Sequence, residues 1–162
     1  MSVIPNVTSQ QNIDKTRVYG AEAAYQQGGF MNDLLEIGGS LTLVKSEIVS
    51  NPAVPASEGK LIPRIPTIRL TTYGTYHISN ALDATLGYRY SGKQYIRLDN
   101  SDVNRNVYGS VSAFSVLDVK LGYKVGKNLQ AFVGIDNLTN CEYYAFHPYA
   151  QRTYSAQLKY NY

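Results

Sequence analysis

The chain contains no tryptophan, a single cysteine and few charged residues, and these shortages narrow the class of protein. Charged residues make up 17% of the sequence, whereas soluble domains average roughly 25%. Cys141 has no partner cysteine, so the count neither demands nor excludes an oxidising compartment. No stretch approaches the roughly 20 apolar residues of a membrane helix. Residues 1–14 also lack the basic and apolar regions of a signal peptide.

Basic residues are scattered singly along the chain. The formal net charge is +3 and the sequence pI is about 8.9, but the lysines and arginines never form the clustered patch that nucleic-acid binding requires. The charge distribution therefore indicates no nucleic-acid partner.

Aromatic residues are present almost entirely as tyrosine. The chain has 15 tyrosines and four phenylalanines, and a tyrosine ring has an apolar body with a polar tip that suits a boundary between lipid and water. The length of 162 residues would also suffice for one soluble domain. Both a membrane and an aqueous environment must therefore be considered for this chain.

Apolar and polar residues alternate over most of the sequence, which is the pattern of β-strands. In residues 154–162 the apolar positions are Tyr154, Ala156, Leu158, Tyr160 and Tyr162, and the residues between them are polar. Residues 82–91 and 117–125 show the same separation. The pattern predicts about seven strands, at residues 16–27, 34–48, 67–79, 82–96, 114–126, 128–138 and 152–162.

Short and long connections alternate between these strands. The short ones are residues 27–33, 80–81 and 126–128, and the long ones are residues 49–66, 97–113 and 139–151. Short turns at one end and long loops at the other are typical of an antiparallel up-and-down transmembrane β-barrel, with the turns in the periplasm. Two tyrosine girdles are then expected, with Tyr76, Tyr123, Tyr160 and Tyr162 near the periplasmic end and Tyr88, Tyr90 and Tyr154 near the outer end.

The barrel interpretation predicts which residues face the lipid. Lys120, Lys124 and Arg89 are expected to face the lumen. The residues expected on the lipid side are Leu82, Ala84, Leu86, Tyr88, Leu117, Val119, Leu121 and Tyr123. The main alternative is a soluble ligand-binding β-sandwich, whose strands also alternate but are usually shorter. A small self-contained outer-membrane barrel with a structural or adhesive role is a further alternative, although an odd strand number speaks against it.

Several motifs resemble TonB-dependent outer-membrane receptors. The stretch from Phe132 to Asn140 (FVGIDNLTN) is followed by Glu142-Tyr143-Tyr144 and then by Gln151-Arg152-Thr153-Tyr154, as at the end of such receptors. Tyr19-Gly20-Ala21-Glu22 and Ile62-Pro63-Arg64-Ile65-Pro66 also fit the barrel of that family. The prolines belong just before a strand, and Gly20 would allow close approach of a neighbouring backbone.

The resemblance implies a receptor for a ferric siderophore or a similar nutrient chelate. Such a receptor has a barrel of about 22 strands around an N-terminal plug, and residues 1–162 would be the C-terminal portion of that barrel, with the plug absent. The implied partners are outer-membrane lipid, the chelate, the outer-membrane assembly machinery, and TonB through the missing plug region. The implied location is the bacterial outer membrane.

The last long loop holds the candidate ligand contacts. Tyr144, His147, Tyr149 and Arg152 could bind an anionic aromatic chelate by stacking and charge-assisted hydrogen bonds, or they could form only an interfacial aromatic belt. No catalytic constellation or phosphate-binding loop is recognisable, so an enzyme and a cofactor are not expected. His77 has no cysteine or second histidine at ligand spacing, which argues against a metal site.

The final strand is expected to carry an assembly signal. By resemblance to receptor C-termini, its apolar face would be recognised by the assembly machinery through strand addition. The residues assigned to this signal are Tyr154, Leu158, Tyr160 and Tyr162.

Overall fold

A computed structural model describes residues 12–102 and 104–162, so most of the N-terminal segment examined for a signal peptide lies outside the described residues. Seven antiparallel strands form one large sheet. The strands are β1 (Lys15–Phe30), β2 (Leu35–Ser50), β3 (Ile68–His77), β4 (Leu82–Ser91), β5 (Phe114–Lys124), β6 (Leu129–Asp136) and β9 (Thr153–Tyr160). The last loop contains a separate hairpin of β7 (Tyr144–Ala145) and β8 (His147–Pro148).

The sheet topology confirms the all-β antiparallel prediction. The strands of the large sheet pair in sequence order, with β6 pairing with β9 across the loop that holds the β7–β8 hairpin, and no crossover occurs among the described residues. Two packed sheets with such crossovers would be needed for the β-sandwich, so that alternative is wrong. In the described part of the chain, β1 and β9 each pair with one neighbour and not with each other, so the small self-contained barrel is not formed either.

Strand boundaries differ from the sequence prediction at both ends of the sheet. β4 ends at Ser91 and not at residue 96, because the backbone then leaves the sheet and the carbonyl of Tyr95 accepts a hydrogen bond from the Arg64 amide (2.8 Å). β1 extends past residue 27 to Phe30, across a register irregularity. The β7–β8 hairpin lies in a segment predicted as loop. The only helical element described is one 3₁₀ turn, Pro55–Ser57, and no described helix is long and apolar enough to cross a membrane.

The strand register confirms the two predicted faces. One continuous row across six strands is apolar apart from the tyrosine hydroxyl, and it contains Leu35, Tyr76, Ala84, Leu121, Val133 and Ala156. The adjacent row on the opposite face contains Glu36, Thr75, Thr85, Lys120, Gly134 and Ser155. Arg89 and Lys124 share the face of Lys120, as predicted. Tyr76, Tyr123 and Tyr160 all lie at the end with the short turns, as expected of a girdle.

Large apolar side chains on the first face are exposed. Leu86 is 53% exposed and Val133 is 54% exposed, which suits a surface whose solvent is lipid. The small buried core lies instead under the long loops at the outer end, where Ile48, Val116 and Tyr143 are buried. The sheet is therefore a wall, and the long loops pack against its outer end.

The glycine and the prolines of the receptor-like motifs have the structural roles expected from the sequence. A Cβ atom on Gly20 would overlap the carbonyl oxygen of Leu43 on β2, so only glycine permits this approach of β1 to β2. Pro63 and Pro66 lie in the segment before β3 and leave its hydrogen-bonded ladder intact.

Candidate ligand site at the outer rim

The three long loops contact one another at the outer end of the sheet. Asn100 joins the first two loops, because its side-chain oxygen accepts a hydrogen bond from the Leu61 amide (2.8 Å) and its side-chain amide donates to the Leu61 carbonyl (3.0 Å). Ser112 joins the second and third loops, since the Tyr144 amide donates to its hydroxyl (2.9 Å) and its own amide donates to the Tyr144 carbonyl (2.9 Å). The loops thus form a single hydrogen-bonded cap.

A cavity of about 500 Å³ lies between this cap and the lumen-facing side of the sheet. We refer to it as the rim cavity. Its strand side includes Arg69, Thr71, Arg89, Ser91 and Phe114, and its loop side includes Arg64, Tyr143, Tyr144, Phe146 and Tyr149. Among the described residues, its lining contains no aspartate or glutamate. The cavity therefore combines cationic and aromatic groups.

Three aromatic rings stack along the rim cavity. The centroids of Phe114 and Tyr143 are 4.4 Å apart with an interplanar angle of 28°, and those of Tyr143 and Tyr149 are 4.8 Å apart at 20°. Tyr143 is the middle ring and is 3% exposed, whereas Tyr149 is 52% exposed. Burial raises the pKa of the Tyr143 phenol, although the nearby Arg89 charge opposes this effect. Because Tyr149 is 52% exposed, it ends the stack with an accessible ring.

The arginines of the cavity differ in their partners. Arg89 forms two hydrogen bonds with the Asp118 carboxylate (2.6 and 2.9 Å), so its charge is largely balanced. Arg64 lies 4.3 Å from the ring centroid of Phe146, and both residues have positive φ angles, 65° and 69°. Arg64 and Arg69 form no ion pair within residues 12–102 and 104–162. These two cations are available to an anionic ligand.

The predicted ligand residues divide into two pairs. Tyr144 and Tyr149 line the rim cavity, and the Tyr144 hydroxyl donates to a carboxylate oxygen of Glu142 (2.7 Å), which raises the pKa of Tyr144. His147 instead packs edge-on against Tyr108, with centroids 4.9 Å apart. Arg152 donates from Nε to the Leu138 carbonyl (3.1 Å). Neither of this second pair lines the cavity, and a binding role for any of the four stays a prediction.

Sequence reasoning missed most of the cationic lining. Arg64, Arg69 and Arg89 come from three different segments, and no local spacing connects them with residues 143–149. The prediction that Arg89 faces the lumen was the one available signal. For metals, the described residues contain no group of three or more His, Cys, Asp or Glu side chains placed to hold an ion.

Asparagines anchor the loop that supplies the aromatic lining. The side chain of Asn137 accepts a hydrogen bond from the Cys141 amide (2.8 Å) and donates to the Cys141 carbonyl (2.7 Å). The Asn140 side chain accepts a hydrogen bond from the Arg152 amide (3.0 Å). Asp118, the partner of Arg89, also accepts a hydrogen bond from the Asn137 amide (2.8 Å). The cavity wall and the base of the last loop are thereby connected.

The predicted assembly residues lie along the last strand of the sheet. Tyr154, Leu158 and Tyr160 project from one face of β9 opposite Ile135, Ala131 and Leu129 of β6, and all three are exposed. Tyr162 follows the end of β9. In the described part of the chain the other edge of β9 has no neighbouring strand. The geometry is compatible with strand addition, and the recognition role remains a prediction.

Comparison with known families agrees with this architecture. Residues 2–138 match the family model described as "TonB dependent receptor-like, beta-barrel". The chain belongs to the TonB-dependent receptor β-barrel family. Members of this family are outer-membrane β-barrel proteins, and the relatives of this chain are transport receptors and not enzymes, as the sequence analysis expected.

Segments of curated relatives and of solved structures match this chain at low sequence identity. The catecholate siderophore receptor Fiu of Escherichia coli K12 is 26% identical over 148 residues, covering 86% of this chain and 19% of that receptor. The probable TonB-dependent receptor BfrD of Bordetella pertussis is 26% identical over 136 residues, covering 81% and 18%. The chain thus spans about a fifth of the length of these curated relatives.

The structural neighbours establish the fold. The unliganded ferric citrate transporter FecA aligns with a TM-score of 0.76 and 20% identity, covering 90% of this chain and 24% of that one. The siderophore receptor PiuA from Acinetobacter baumannii aligns with a TM-score of 0.70 and 22% identity, covering 87% and 20%. The chain covers less than a quarter of each of these two structures, so its seven-strand sheet has the fold of one part of a longer chain.

Proposed function

We propose that this chain is the C-terminal barrel segment of an outer-membrane receptor that takes up a ferric siderophore or a similar nutrient chelate. Its relatives include a catecholate siderophore receptor. The described sheet has an unpaired edge at β1 and another at β9. Because unpaired strand edges are not tolerated in lipid, further strands must close the barrel.

The rim cavity is the observation that carries this proposal. Ferric siderophores are often anionic and bulky. A cavity at the outer end of the barrel suits such a ligand when it holds a row of aromatic rings and two arginines that form no ion pair among the described residues. In this proposal the cavity is the first contact for the chelate on the cell surface.

The remaining partners follow from the same proposal. A plug domain elsewhere in the receptor would fill the lumen against the polar face of the sheet, and TonB would act on that plug. The apolar face would contact outer-membrane lipid, and the assembly machinery would recognise β9.

Uptake of radioactive iron tests the proposal. The complete gene product that carries this chain would be expressed in Escherichia coli lacking its own siderophore receptors, with and without TonB. We expect TonB-dependent uptake from at least one of ferric dihydroxybenzoate, ferric citrate and ferrioxamine B. Arg69→Gln should reduce this uptake, whereas Arg17→Gln on β1, outside the cavity, serves as the matched control. Uptake no greater than that of cells with an empty vector, for all three chelates, would contradict the proposal.

A further inference from the structure

Three ionisable side chains meet at the end of the sheet that carries the short turns. His77 is the last residue of β3, Glu36 lies near the start of β2, and Asp83 lies near the start of β4. The Nδ1 atom of His77 is 2.6 Å from a carboxylate oxygen of Asp83, and its Nε2 atom is 3.4 Å from a carboxylate oxygen of Glu36. We refer to these three residues as the histidine–carboxylate cluster.

The register places the cluster on the lumen-facing side of the sheet. His77 is paired directly with Asp83, and Glu36 is paired with Thr75, two residues before His77 on the same face of β3. The His77 amide also donates a hydrogen bond to the Leu34 carbonyl, which precedes β2 (2.8 Å). These contacts join three neighbouring strands, β2, β3 and β4, at one point.

The two nitrogen–oxygen distances make the cluster sensitive to one proton. A neutral imidazole has a single N–H group and therefore donates to one carboxylate, while its other nitrogen presents a lone pair to the second. The imidazolium has two N–H groups and a positive charge, so it can bind both carboxylates. The observed arrangement, with a carboxylate oxygen near each ring nitrogen, therefore suits the protonated form of His77.

No other cation takes the place of this proton in the part of the chain that the structure describes. Neither carboxylate of the cluster forms an ion pair with a lysine or an arginine there. The charged residues at this end of the adjoining strands and turns are Asp33 in the turn before β2, and Lys120 and Lys124 on β5. The Lys124 ammonium donates to the Asn80 carbonyl (3.2 Å), and the Lys120 ammonium lies 4.6 Å from the ring centroid of Phe132.

We infer that the histidine–carboxylate cluster is a proton-dependent clamp on the lumen side of β2, β3 and β4. With its proton, His77 binds Glu36 and Asp83 together and fastens the three strand ends. When the proton leaves to water, His77 keeps one carboxylate and releases the other, so this end of the wall loosens and loses one positive charge. The side chains of His77 and Asp83 are each 30% exposed and that of Glu36 is 49% exposed, so the proton can exchange with the surrounding water.

The direction of the pH effect follows from which form of His77 the clamp uses. Carboxyl groups are ionised above about pH 5, and a free imidazole loses its proton at about pH 6.5. Because the clamp uses the imidazolium, its contribution to stability is present below that pH and is lost as the pH rises and His77 gives up its proton. Exposed ion pairs contribute modestly, so the effect belongs to local opening of these strand ends and not to unfolding of the whole barrel.

Hydrogen exchange at two pH values tests the inference. Amide exchange would be measured on the complete gene product in detergent for peptides that cover residues 34–37 and 75–84, with each variant compared with the wild type at the same pH. The side chain is neutral in His77→Gln and always cationic in His77→Arg. At about pH 5.5 we expect exchange roughly threefold faster than wild type in His77→Gln and about equal to wild type in His77→Arg. At about pH 9 we expect His77→Gln to match the wild type and His77→Arg to exchange more slowly than both.

Two further variants complete the test. His147→Gln removes the other histidine of the chain, which packs against Tyr108, and it should leave exchange in both peptides unchanged. Glu36→Gln keeps the pair of His77 with Asp83 and gives the same test if the His77 variants lack the heat-modifiable band of a folded barrel. It should exchange roughly threefold faster than wild type at about pH 5.5 and equally at about pH 9. A ratio of variant to wild-type exchange that is the same at both pH values, for His77→Gln or Glu36→Gln, would overturn the inference, since the contact would then not depend on the proton.

Discussion

At the scale of single residues, short-range hydrogen bonds at positive-φ positions hold the outer loops in place. Asn137 and Asn140 have φ angles of 53° and 55°, a region that asparagine tolerates better than most residues. Asn137 is only 2% exposed, and its side chain satisfies both polar groups of the Cys141 backbone. This residue therefore sets the start of the loop that carries Tyr143, Tyr144 and Tyr149.

Substitution of Asn137 should destabilise the folded barrel. Asn137→Ala removes the two hydrogen bonds to Cys141. It also leaves an alanine at a positive φ angle without the side-chain hydrogen bonds that hold asparagine there. We therefore expect the free energy of unfolding to fall by about 2 kcal/mol. The measurement is the urea midpoint of the complete gene product in detergent. Asn137→Gly separates the two causes, because glycine tolerates the φ angle and lacks only the hydrogen bonds. Wild-type stability of Asn137→Gly would show that these bonds contribute little.

At the scale of strands, the alternation along each element decides what the element contacts. Leu86 and Thr85 are neighbours on β4 but belong to opposite faces. Leu86 is paired with Gly74 and Val119, and Thr85 is paired with Thr75 and Lys120. The first row is expected to contact lipid and the second to contact the lumen.

An arginine scan of two adjacent positions checks this difference. Leu86→Arg places a charge on the lipid side and should cost about 2–4 kcal/mol if the position lies near the bilayer midplane. Thr85→Arg, one residue away, should cost much less because its side chain faces polar groups. Refolding into phospholipid vesicles, followed by denaturant titration, measures both values. Equal costs for the two variants would refute the assignment of faces.

The β1–β2 hairpin depends on close approach at one glycine. In Gly20→Ala the new Cβ would overlap the Leu43 carbonyl oxygen, so the strands must separate locally. We expect a destabilisation of about 1–3 kcal/mol and a lower temperature for loss of the folded gel band. Gly126→Ala is the control, because its Cβ would meet no atom within 4 Å. A Gly20→Ala protein that unfolds at the same temperature as Gly126→Ala would contradict this account.

At the scale of the whole molecule, the open edges of the sheet relate the chain to barrel closure and assembly. β1 and β9 each have one unpaired edge among the described residues, and an unpaired strand is a template for pairing with another strand. β9 also presents exposed apolar residues on one face. We therefore propose that β9 serves first in recognition by the assembly machinery and then in closure of the barrel.

Two double tyrosine substitutions distinguish an assembly signal from a tyrosine girdle at the membrane interface. Tyr160→Ser combined with Tyr162→Ser should lower the amount of folded receptor in outer-membrane fractions severalfold, measured as the heat-modifiable band. Tyr76→Ser combined with Tyr123→Ser alters tyrosines at the same end of the sheet but on inner strands, so it serves as the control. Equal amounts of folded receptor in both double variants would show that the terminal tyrosines act only as girdle residues.

The sequence by itself determined the strands, their order and their two faces. This was possible because side chains alternate with a period of two residues and because a lipid-facing row must be apolar, so each strand carries its own information locally. The extra hairpin at Tyr144–Pro148 and the early end of β4 at Ser91 were not predicted. Both depend on hydrogen bonds between loops, namely from Ser112 to Tyr144 and from Arg64 to Tyr95.

The rim cavity was decided only by the tertiary structure. Tyr144 and Tyr149 were identified from a loop rich in aromatic residues, but the same loop also contains His147 and Arg152, which lie outside the cavity lining. The cations that do line it, Arg64, Arg69 and Arg89, are distant in sequence from that loop. They meet it because the sheet register aligns the outer ends of β3 and β4 and because the long loops fold over the lumen face. Loop packing of this kind depends on contacts between distant segments, which no local sequence period encodes.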